Sequence, residues 1–85
     1  MAILYKTDGS SQEVHPKNGS DFKLDELRDH VGGGYIELVY LPNKMLLVVD
    51  DEGAINDMPI NIKASEVASG IIHGDAVYCK SAEVE

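Results

Sequence analysis

The spacing of apolar residues along the chain switches between two and 3.6, and each switch marks an element boundary. Residues 3–6 are strand formers, and the Asp8-Gly9 step after them suits the positive backbone angles of a tight turn, predicting a hairpin that returns over residues 12–15. Pro16 ends that strand because it has no amide to donate, and Lys17-Asn18-Gly19-Ser20 reads as a turn. Over residues 22–31, Leu24, Leu27 and Val31 fall at i, i+3 and i+7, one stripe of a helix. Ser20 or Asp21 is the expected N-cap, and Gly32 the left-handed C-terminal cap. Asp25, Glu26 and Asp29 occupy the opposite, solvated face, with Arg28 within reach of Asp25.

After Gly32-Gly33-Gly34 the period becomes two. Ile36, Leu38 and Tyr40 alternate with Tyr35, Glu37, Val39 and Leu41, and both sets are largely apolar, which predicts a central strand covered on both faces. Pro42-Asn43-Lys44 is a tight turn into a second apolar run, residues 45–49, so the two strands form an antiparallel hairpin. Residues 50–57 are acidic and read as a loop. Met58-Pro59-Ile60 enters a second short helix, capped by Asn61 and stopped at Gly70. A turn over residues 71–75 leads to a last strand, 76–80, and a tail, 81–85, expected to fray. The whole reads as one compact α+β domain, residues 1–85, with a mainly antiparallel sheet of about five strands and two short helices, in the order β-β-α-β-β-α-β.

Composition narrows the function classes. At 85 residues there is room for one core, and 44% apolar with 26% charged residues is ordinary for a folded soluble module. Fifteen acidic against seven basic residues, a net charge of −8, repel phosphate backbones and anionic lipids, so neither direct nucleic-acid binding nor membrane binding is expected. The same surplus suits a mimic of nucleic acid that occupies a basic groove, although the acids are spread out and their densest run is Asp50-Asp51-Glu52. One cysteine, Cys79, allows no internal disulfide and fits a reducing cytoplasm, and the N-terminus lacks the pattern of a signal peptide.

Candidate chemistry is sparse. The three glycines follow a helix, whereas phosphate-binding loops lead into one, so the local helix dipole disfavours an anion and the glycines read as cap and turn. Asp50, Asp51 and Glu52 are candidate binding residues, yet they lack the ligand spacing of a calcium loop. His15, His30, His73 and Cys79 are too dispersed for a zinc site, and Cys79 is expected to be a buried, inert thiol rather than a nucleophile. No catalytic residues, metal or cofactor are expected, and the chain is read as a non-enzyme. Tyr35, Tyr40 and Tyr78 supply contact area with a polar tip, with core packing expected of two of the three. Asn61 is a helix cap or an anion contact at the same helix start, and Lys63 is grouped with it.

The ordered motifs are Leu27 to Val31, Gly33-Gly34-Tyr35-Ile36-Glu37, the strand of residues 45–49, Asp51-Glu52-Gly53, Pro59-Ile60-Asn61 with Ala64, and Ile72-His73-Gly74-Asp75-Ala76-Val77. In that order the chain resembles a small domain of unknown function carried by bacterial phages, plasmids and conjugative elements. It departs from the usual pattern in having three glycines before the aromatic residue rather than two, and in His73, where an aliphatic residue is commoner or the position varies freely. The resemblance implies no reaction, only a setting: a mobile genetic element in a bacterial cell. There a small acidic accessory protein is expected to bind a host protein, possible counter-defence included, with sequestration of a small anionic, nucleotide-like ligand as the alternative. A homo-oligomer formed through an uncovered sheet edge, residues 76–80 or the first hairpin, is also open.

Overall fold

The computed structural model describes residues 2–32, 34–53 and 55–84. The strands are β1 (Ala2–Tyr5), β2 (Ser11–Val14), β3 (Ile36–Leu41), β4 (Met45–Asp50) and β5 (Ala76–Lys80), and the helices α1 (Leu24–Val31) and α2 (Ile62–Ala68). One five-stranded sheet has the order β2-β1-β5-β4-β3, and every neighbouring pair is antiparallel. The α+β class and the order of elements are those the residue pattern predicts.

Alternation along the strands splits the core in two, one half on each face of the sheet. On one face Leu4, Leu46, Val48, Val77 and Cys79 pack with Phe22, Leu27 and Val31 of the α1 region. On the other, Leu47, Val49 and Ala76 pack with Ala64 of α2, and Tyr5 lies against Tyr78 with ring centroids 6.1 Å apart. The strand buried on both faces is β4, whose residues from Leu46 to Val49 are all buried. The expectation that β3 is central is corrected: it is an outer edge. Its two apolar faces report cover above and below, not a neighbour on each side, and its apolar side chains are only half-buried. Likewise β5, predicted as a possible free edge, is central, held between β1 and β4.

Two boundaries also differ. The cap of α1 is Lys23, whose amide donates to Glu26 Oε1 at 3.1 Å; Glu26 Oε2 accepts from the Lys17 amide at 2.9 Å. Glu26, expected on the solvated face, is therefore buried, and these two amides hold its carboxyl below the usual carboxylate range. Arg28 lies 5.7 Å from the centre of the Tyr35 ring rather than serving Asp25. Residues 81–84, expected to fray, form a 3₁₀ turn at Ser81–Glu83 and a bridge from Val84 to Phe22, whose amide donates to the Glu83 carbonyl at 2.6 Å. An apolar residue at 84 gains by covering Phe22. Gly33 of the glycine turn, Ala54 of the acidic loop and the tail's Glu85 lie outside the described residues.

Candidate interaction surface

The open side of the sheet is built around β3. The Asp51 amide donates to the Tyr35 carbonyl at 2.9 Å, so the two residues form a hydrogen-bonded pair in the antiparallel ladder. The ladder alternates from there: Glu37, Val39 and Leu41 turn their backbone groups toward β4, while Ile36, Leu38 and Tyr40 turn theirs outward. None of the described residues pairs with that outer edge. Beside it, between α1 and β3, runs an apolar groove of about 260 Å³ lined by Phe22, Leu24, Leu27, Ile36, Leu38 and Val84. Leu24 is half exposed, and Tyr35 and Tyr40 are 69% and 74% exposed.

The acidic turn closes one end of this edge. Asp50 points inward, its Oδ1 accepting the Glu52 amide at 2.8 Å and its carboxylate lying beside Gly32 and Gly34. Asp51 and Glu52 are exposed, and Asp51 shares a depression of about 140 Å³ with Glu37. Lys44 stands exposed at the opposite end, in the Pro42–Lys44 turn. Of the residues the sequence nominates, Tyr35, Asp50, Asp51 and Glu52 thus meet at one corner, and Tyr40 lies farther along the same edge.

Asn61 and Lys63 belong elsewhere. Asn61 is fully buried: its Oδ1 accepts the Ala64 amide at 3.1 Å, and its Nδ2 donates to the Tyr5 and Gly74 carbonyls at 2.8 and 2.9 Å. Its amide is consumed in joining α2, β1 and the turn before β5, so it has nothing left to offer a ligand. Lys63 is exposed on α2. The nearby Pro59-Ile60-Asn61 and Ile72-His73-Gly74 motifs pair with each other: Gly74 donates to the Pro59 carbonyl and Asn61 to the Ile72 carbonyl, both at 2.8 Å. His73 Nδ1 donates to the Met58 carbonyl at 2.7 Å, and Asp75 Oδ1 accepts the Thr7 amide at 3.0 Å. A shallow depression of about 290 Å³ beside them is bordered by Thr7, Asp29, His30, Met58, Pro59 and Asp75, with Asp75 Oδ1 engaged by the Thr7 amide.

Cys79 is buried on the α1 face, and burial pushes its thiol up to about 11, which leaves it protonated and unreactive at neutral pH. Among the described residues no group of three or more His, Cys, Asp or Glu is arranged to hold a metal ion. Nor is any of their helices long and apolar enough to cross a membrane.

Sequence reasoning missed the groove and the free edge, because a strand's neighbours are set by residues far away in the chain. Val84 carried a partial signal, as an apolar residue in a tail otherwise read as frayed, whereas Leu24 was read as part of the buried stripe and is half exposed.

A small α+β domain with a helix on each face of an antiparallel sheet and an aromatic-flanked open edge is the class this geometry defines. The chain belongs to the family described as a domain of unknown function, DUF3846, whose model matches residues 1–85. No curated protein and no solved structure matches it.

Proposed function

We propose that this chain is a non-catalytic binding protein that docks a host protein against the β3 side of its sheet. The setting is a phage or other mobile element in the cytoplasm of a bacterial cell, and the action is to occupy a host factor, one of cellular defence included. The observation that carries the reading is the concentration of exposed contact area at one edge: Tyr35 and Tyr40 stand out along β3, and half-exposed Leu24 borders the apolar groove beside it. Aromatic side chains beside an apolar cleft with a charged rim are the usual anchors of protein interfaces. The opposite face of the same edge is acidic, with Glu37 and Asp51 bordering one depression and Glu52 exposed beside them, which favours a basic partner surface.

Capture from lysates of several bacterial hosts at moderate salt tests this. The intact chain should enrich a stable partner, and the double variant Tyr35→Ser with Tyr40→Ser should lose it roughly tenfold while melting as wild type does. Enrichment of nothing beyond a control domain in any host counts against the reading.

A further inference from the structure

We propose that the outer edge of β3 receives an extended segment of another protein as a sixth, antiparallel strand, one with aliphatic side chains at alternate positions and a basic residue facing Glu37. This rests on the protein-binding reading and names the partner's chemistry.

The backbone supplies the first argument. Ile36, Leu38 and Tyr40 present three N–H and three C=O groups at strand spacing along an uncovered edge. Such edges are normally blunted by brevity, charge or proline. The other edge of this sheet, β2, is: it has four residues, with Ser11, Gln12 and Glu13 exposed. By contrast β3 has six, of which only Glu37 is charged, and proline enters only after its end, at Pro42.

Side-chain placement supplies the second. Residues of an added strand opposite Ile36, Leu38 and Tyr40 direct their side chains to the α1 face, where the groove lined by Leu24, Ile36, Leu38 and Val84 lies alongside. Backbone bonds then give affinity and the groove gives selection for aliphatic groups at every second position. On the opposite face the added strand meets Glu37, with Asp51 sharing its depression, so a Lys or Arg there is paired and an acid is repelled. A second copy of this chain fits less well, since each copy brings a net charge of −8.

The test uses a library of labelled octapeptides with Ile, Val or Leu at alternate positions and one Lys or Arg between them, read by fluorescence anisotropy on the intact chain. Members should bind with micromolar to sub-millimolar affinity. N-methylation of the backbone amides that face β3 should weaken the best binder at least tenfold, and Glu37→Lys should weaken it at least fivefold and shift preference to peptides carrying Glu. Absence of binding by every member at 1 mM, or indifference to N-methylation, overturns the proposal. So does a homodimer in sedimentation velocity that Leu38→Arg dissociates, because the edge then belongs to a second copy. If no peptide binds while lysate capture still yields a partner sensitive to Tyr35 and Tyr40, strand addition fails and the binding function stands. If peptides bind and no host supplies a partner, the function reading fails instead.

Discussion

At the scale of single residues, Asn61 is a fully buried polar side chain whose three hydrogen bonds join α2, β1 and the turn before β5. Replacing it with Ala removes a helix cap and leaves the Tyr5 and Gly74 carbonyls without their donor, an expected loss of ~3 kcal/mol. Asn61→Asp keeps the capping oxygen but sets a carboxylate against two carbonyls, so it should destabilise at least as much; urea unfolding of both variants checks this. Its capping role was legible from its place before a helical stripe, whereas its two long-range bonds were not, since nothing local announces Tyr5. The glycine run divides in a similar way. Gly32 has φ 116°, where a side chain is strained, and Gly32→Ala should cost about 1 kcal/mol. A Cβ on Gly34 meets the Asp50 carboxylate at an ordinary 3.5 Å, so Gly34→Ala should lie within about 0.5 kcal/mol of wild type in the same assay. Of the two described members of the run, Gly32 carries the conformational demand and Gly34 does not.

Among the elements, β3 and β4 were both legible as strands, and their hairpin followed from Pro42-Asn43-Lys44. Which of the two lies inside the sheet was not legible, because that depends on β5 arriving beside β4 from the far end of the chain. The difference is measurable: Leu47→Ala, on the fully buried strand, should cost about 2–5 kcal/mol, while Leu38→Ala, half-buried on the edge, should cost well under half as much. Helix α1 adds a pH dependence. The Lys17 and Lys23 amides favour ionised Glu26, lowering its pKa in the folded chain below the ordinary 4.5. The stabilisation is therefore complete above that value and is lost as pH falls through the lower folded pKa. Thermal melts should show Glu26→Gln less stable than wild type at pH 7, with the gap closing as the solution is acidified below 4.5. Its cap position differs from the expected one because Lys23 has no side-chain oxygen to accept an amide, and the Glu26 carboxylate three residues on accepts the Lys23 amide instead.

For the whole molecule, a net charge of −8 is carried on a body with extents of 32 × 26 × 20 Å. Like charges this dense oppose the compact state, and salt screens them. Raising NaCl from 20 to 300 mM should lift the melting temperature by about 2–4 °C, if screening removes roughly 0.5 kcal/mol of self-repulsion. The acidic balance was plain in the sequence, but its gathering of Glu37, Asp51 and Glu52 at one corner was not, since β3 and the turn after β4 meet only through strand pairing. The strand order carries one more consequence, for the chain as it is being made. Strand β1 leaves the ribosome before every other strand of the sheet, yet its central partner β5 follows after all of them, with Ile3 waiting for Tyr78. Until then two separate hairpins, β1-β2 and β3-β4, each show an unpaired inner edge, and the nascent chain depends on the interval being short or on a chaperone to cover them.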